Sequence, residues 1–330
     1  MKFAVGYQLF LNDDFIENII ERKDSISEVY FSWGDFPNGR NNQLIHSEMA
    51  PIEATKKQDY DLAKLATNNI PLNMLFNATC YGKDSQSRAF FQKIGDTVDY
   101  IEKNYILKTI TTTSPLIAEF IKSNFNSLDV RASVNLGIGS IEGMEYVAEY
   151  FDSFYLKREY NRDFIKIREM KNWCDNNGKQ LFALANSGCL NNCSAHTFHD
   201  NLVSHESEIS AMDNGFSFNG ICSKFLKNKN NLEHLLDYTG FIRPEDIYLY
   251  ENFFTSLKLA TRINQNPLRI LKAYIDEHSF NGNILELLEP NHSAAVYPYI
   301  LSNKLIETDM DEKRVRYTNI NKALIKLEEF

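Results

Sequence analysis

No apolar run in this chain approaches the roughly 18–20 residues that a membrane-spanning helix needs, so no membrane segment is expected. Positive charge is also in short supply. Thirty-five Lys and Arg stand against 44 Asp and Glu, a net charge of −9, so a basic nucleic-acid surface is not indicated by charge. No Gly-x-Gly-x-x-Gly and no phosphate-loop signature supports a nucleotide-binding open sheet. A His-Glu-x-x-His helix and a Gly-x-Ser-x-Gly elbow are missing too, which weighs against the familiar metalloprotease and serine-hydrolase types. Cysteine is sparse and odd in number, five in 330 residues. The first seven residues read as a strand rather than a signal peptide. Reduced thiols and a cytoplasmic location are therefore expected, with clustered cysteines suggesting ligation rather than disulfides.

What is present is a regular alternation. Short β-rich runs fall at residues 3–9, 28–34, 71–79, 107–113, 130–136, 153–159, 180–185 and 256–262. Helical patterns follow most of them, at 13–22, 51–68, 85–102, from Pro115, 141–150, 163–176 and 268–277. Pro115 suits a helix start and Gly178 a helix stop. Strands alternating with helices imply parallel pairing, and eight such units predict a (β/α)8 TIM-type barrel over residues 1–280. A long insert, about 186–255, separates strands seven and eight. Residues 281–330 form an extension packed on the barrel, with a further helix expected at 318–329.

Alternate residues of a strand face opposite sides. Asn73 and Asn77 in strand three therefore share a face, as do Arg131, Ser133 and Asn135 in strand five and Lys258 and Arg262 in strand eight. The opposite faces are apolar and suit packing against helices. The polar faces then point into the barrel, where unpaired groups cost roughly 1–3 kcal/mol each. Several strands carrying such residues together suggest a polar cavity. Arg158, Arg262 and Asn135 lie near strand C-termini and should converge at the end where active sites of this fold are built.

The insert opens with Asn186-Ser187-Gly188-Cys189, then Cys193 and three histidines, His196, His199 and His205. Thiolates are soft donors for iron and zinc. Cys189, Cys193 and Cys222 are the candidate ligands, with Cys80, His199 or His205 as a fourth. A four-iron cluster, a tetrahedral zinc site and no metal at all are the three readings of this pattern. Cys174, inside a helix, is read as structural. The radical-SAM spacing Cys-x3-Cys-x2-Cys does not fit, because His196 stands at the third position and the motif comes after strand seven.

Together with Phe241-Ile242-Arg243-Pro244-Glu245-Asp246, Phe254, Lys258-Leu259-Ala260-Thr261-Arg262, Tyr274 and Phe280-Asn281-Gly282-Asn283, this insert resembles the peptidase U-32 family. The resemblance spans most of the chain from strand five onward. It implies a TIM barrel carrying a four-iron cluster held by four cysteines. It also implies either collagenase-like proteolysis or oxygen-independent hydroxylation of tRNA, ribosomal RNA or a quinone precursor, with prephenate as oxygen donor. The usual four-cysteine spacing is not kept here.

The resulting expectation is an iron–sulfur barrel enzyme of the U-32 type. Arg158, Glu159 and Arg262 form its catalytic set, and Asn77, Asn135, Arg162, Asn186, Arg243 and Lys258 bind a small anionic molecule or a modified macromolecule. The first alternative is a metal-dependent peptidase in which Glu159 is the general base for a zinc-bound water. The second is a non-catalytic subunit with a structural metal that works through a partner protein.

Overall fold

The computed structural model describes residues 1–40, 49–216, 218–319 and 322–327. Eight parallel strands close into one barrel in sequence order. They are β1 (Lys2–Gly6), β2 (Ile26–Phe31), β3 (Leu72–Phe76), β4 (Leu107–Thr112), β5 (Asp129–Ala132), β6 (Ser153–Tyr155), β7 (Gln180–Leu184) and β8 (Ser256–Leu259). The barrel closes where β1 pairs with β8, from Lys2 opposite Ser256 to Val5 opposite Leu259. Most strand residues are buried on both faces, as parallel strands under a coat of helices must be.

The helices begin where the sequence supplies caps. Ser87 accepts a hydrogen bond from the Phe90 amide ahead of Arg88–Asn104, and Ser114 does the same from Ile117 ahead of Pro115–Asn124. Asp163 caps Phe164–Asn176 through the amides of Ile165 and Lys166. Each cap satisfies amides that a helix start leaves without partners. Two expected helices are shorter or irregular. The first covers only Ile141–Glu145. The second runs over Pro267–Leu271 and continues as a π-helical turn, Lys272–Asp276. The sixth strand also stops early, at Tyr155, and the chain turns through a 3-10 segment at Arg158–Tyr160.

The insert holds a string of short helices, the longest being His196–Ser204. The C-terminal extension differs from expectation. Where a helix was anticipated over 318–329, the described residues form strand. The extension contains β9 (Tyr299–Leu301), β10 (Ile306–Met310), β11 (Val315–Asn319) and β12 (Leu324–Lys326). These pair antiparallel as β10 with β11 and β9 with β12. The physical reason is a period of two: buried Val315 and Tyr317 alternate with exposed Arg316 and Thr318. Residues 320–321 and 328–330 of that expected helix lie outside the described residues. No helix among the described residues is long and apolar enough to cross a membrane.

The main apolar core lies between strands and helices, while the barrel interior is polar at its lower end. Arg131 donates to Glu28 at 2.6 Å and to Ser153 at 3.1 Å. Asn73 donates to the same Glu28 oxygen at 2.7 Å, and Thr111 donates to Asn73 at 2.9 Å. Arg131 also stacks over Phe182, 3.9 Å from the ring centroid. A buried charge pair of this kind holds only because its remaining donors and acceptors are met. It seals the lower end and leaves the upper end for chemistry.

Candidate active site at the barrel mouth

A small cavity of about 40 Å³ lies at the C-terminal ends of the strands, room for a few water molecules or a short head group. Arg40, Arg158, Lys258 and Arg262 line it, with Glu289 as the one carboxylate; Tyr30, Asn77 and Asn135 are also in the wall. Asn77, Asn135 and Arg158 follow directly on strands or their first turns, so the barrel sets their positions. Arg158 donates to Asn135 at 2.5 Å and meets the His196 ring, which in turn lies 3.2 Å from Asp200. Asn135 donates to the Asn77 carbonyl at 3.2 Å. Arg262 donates to Asn38 at 2.7 Å, and Arg40 pairs with Glu289 at 3.0 Å.

Two glycines make room for this packing. A side chain at Gly6 would meet Arg262 Cγ and the Tyr30 ring at 2.7 Å. One at Gly39 would strike Asn135 Nδ2 at 2.5 Å, and the Gly39 amide donates to Asn77 at 3.0 Å. The loop after β2 therefore reaches the mouth by close backbone approach.

Cations outnumber anions here, and the electrostatics show it. Burial, with the Tyr30 and Glu289 anionic influence only partly offsetting it, holds the Arg262 guanidinium down at about 10. Lys258 is pushed down to about 7, first by burial and then by the charge of Arg262. Its Nζ sits 3.9 Å from the Tyr30 ring centroid and 5.2 Å from that of Tyr155. It makes no hydrogen bond or ion pair among the described residues. Arg158 Nε is likewise buried without a hydrogen-bond partner among them. Buried donors left without partners are costly, which marks this wall as one built for an acceptor.

Several residues expected at the site have other duties. Asn186 is fully buried and bridges backbone, donating to the carbonyls of Ala260 and Leu287 and accepting from the Ala260 amide. Arg162 donates to the Leu236 and Thr239 carbonyls and lies over Tyr317. Arg243 donates to Asn303 and Thr308, tying the extension to the barrel. Glu159 accepts from the Asn192 amide at 3.2 Å and lines a separate surface pocket with Arg162. Sequence reading missed Tyr30, Asn38, Arg40 and Glu289. The Pro37-Asn38-Gly39-Arg40 turn directly after a strand was the available signal for two of them.

The cysteines separate into neighbourhoods. Cys189 lies among Arg158, Arg40, Asp200 and Glu289, its thiol pushed up by burial against the pull of the two arginines. Cys222 is close enough to Cys193 to feel its charge. His199 packs against Phe218. Cys80 and His205 are neighbours beside a second cavity of about 380 Å³, and His205 Nδ1 lies 2.8 Å from Glu208. Among the described residues no group of three or more His, Cys, Asp or Glu is placed to hold one metal ion.

The thiols should differ in reactivity. The neighbouring His205 imidazole draws the Cys80 thiol below its ordinary range, while burial pushes Cys222 up and Cys174 up to about 12. Thiolate is the reacting form, so iodoacetamide at neutral pH should label Cys80 at least about tenfold faster than either. Timed peptide mapping by mass spectrometry checks this. Labelling of Cys222 ahead of Cys80 would contradict the Cys80–His205 pairing.

No protein-family model and no curated protein sequence matches the chain. Among solved structures, a GH113 β-1,4-mannanase is 10% identical with a TM-score of 0.40 and covers 78% of this chain and 86% of its own. Muconate lactonizing enzyme from Pseudomonas putida is 14% identical at 0.35, covering 60% and 50%. The U32 peptidase Mk0906 is 12% identical with a TM-score of 0.54, covering 78% of this chain and 92% of that one. The chain is thus a TIM-type barrel whose fold resembles that of a U32 peptidase.

Proposed function

We propose that the protein is a barrel enzyme that acts on a small anionic molecule held at the barrel mouth by Arg158, Arg262 and Arg40 and oriented by Asn77 and Asn135. The observation that carries this reading is the charge imbalance. Among the described residues, four cationic side chains and one carboxylate enclose the cavity, and one guanidinium nitrogen there has no hydrogen-bond partner. A carboxylate or phosphate would accept charge-assisted, fork-shaped hydrogen bonds from the arginines. The placement at strand C-termini is where this fold carries its chemistry. The reading calls on no metal.

Calorimetric titration with inorganic phosphate and with malonate tests it. The double variant Arg158→Met, Arg262→Met should bind either anion about 10–100-fold more weakly, the loss of one or two hydrogen bonds from charged groups. Equal affinity in wild type and variant, or no binding by the wild type, would reject the mouth as an anion site.

A further inference from the structure

We propose that Lys258 is a nucleophilic amine that condenses with the carbonyl group of a small anionic carbonyl compound, of the 2-oxo acid class, seated in the barrel mouth. The proposal rests on the reading of the mouth as an anion site. Lys258 lies on β8, one inward position below Ala260 and two below Arg262. It is 7% exposed, and its Nζ has two tyrosine rings around it but no hydrogen-bond acceptor among the described residues. A structural lysine buried this deeply would be held by a carboxylate, as Arg131 is by Glu28. Here Glu28, the carboxylate whose charge Lys258 feels, is already engaged by Arg131 and Asn73.

The geometry separates two tasks. Arg262 and Arg158 stand above and would take the carboxylate end of the ligand, as the anion reading requires. The carbonyl carbon would then lie toward the floor, facing Lys258. The amine nitrogen attacks that carbon, and a C–N bond forms as the C=O π bond becomes a hydroxyl. Both amine hydrogens leave with the carbonyl oxygen as one water, and an imine remains. No oxidant or reductant is consumed. The attacking form is the neutral amine, which the surroundings favour: burial disfavours the charge most, and Arg262, Arg131 and Arg40 oppose it, with Glu28 offsetting them in part. The small cavity restricts the ligand to a short head group.

Trapping with sodium borohydride tests the proposal on the full chain. Incubation with pyruvate or glyoxylate followed by borohydride reduces any imine to a stable secondary amine. Intact-mass and peptide mass spectrometry should show one adduct, at Lys258, and inorganic phosphate should suppress it. Lys258→Met should lose the adduct, with a smaller fall in phosphate binding by calorimetry than the double variant Arg158→Met, Arg262→Met shows. Arg262→Met should retain the amine and give at least about tenfold less adduct, through loss of the anion anchor. Anion binding by wild type without an adduct at Lys258, or labelling spread over exposed lysines, would overturn the nucleophile and leave the anion site standing. Absence of anion binding altogether would instead remove the reading beneath it.

Discussion

Glu28→Leu should destabilise the protein by about 3–5 kcal/mol, the cost of depriving a buried charge of its closest partner. Glu28 is 7% exposed and Arg131 4% exposed, and the carboxylate left to the guanidinium, Asp129, stands farther off at 3.4 Å. Loss of the carboxylate also strands Asn73, which donates to the same oxygen. The double variant Glu28→Leu, Arg131→Leu should recover much of the loss, because a buried pair replaced by apolar groups is often neutral. Denaturant unfolding of the two variants gives both numbers. A single variant within about 1 kcal/mol of wild type would show that Arg131 does not depend on Glu28.

Lys258→Met should have the opposite sign. Lys258 is lowered from its ordinary 10.5 to about 7 in the folded protein. Between those values the unfolded chain holds a proton that the folded chain has released. Wild-type stability therefore gains from this group as pH rises across the window. Below about 7 both states are protonated and the full cost of burying the ammonium stands. Methionine removes that cost, so the variant should be more stable than wild type by about 1–4 kcal/mol near pH 6, the range seen when buried charges give way to apolar groups. The gap should close toward pH 10. Melting temperatures of both proteins from pH 6 to 10 check it. A constant difference, or a variant that is less stable at pH 6, would show that Lys258 is not held as an uncompensated cation. A residue kept at such a cost fits a site selected for chemistry rather than stability.

The barrel was legible in sequence because its signal is repeated. Eight short apolar runs each precede a helical pattern, and errors of a few residues at the ends leave the topology unchanged. The polar interior was legible too, since Asn73, Arg131 and Lys258 recur on one face at a period of two. Less of the mouth could be read. Asn186, Arg162 and Arg243 share with the residues that line the mouth the same mark, a polar side chain near a strand end. Only coordinates show that their donors are already spent on carbonyls and on the extension. Arg40 and Glu289 come from loops, where no periodicity points inward. The strands of the extension were mistaken for a helix because a short segment offers few periods from which to tell 2.0 from 3.6.

The extension is more than a cover. The Gly188 amide donates to the Glu289 carbonyl at 2.7 Å, and the Glu289 amide donates to the Asn186 carbonyl at 2.9 Å. This parallel bridge threads residue 289 beside the strand-seven exit and delivers a carboxylate to the mouth. A chain cut after residue 280 would retain all eight strands but lose the carboxylate partner of Arg40 and one acceptor of Asn186. The barrel is thus not an interchangeable module. Gene fusions or exchanges joined at the barrel's last helix would carry over the architecture without the polarity of its reaction chamber, so barrel and tail are expected to be inherited as one piece.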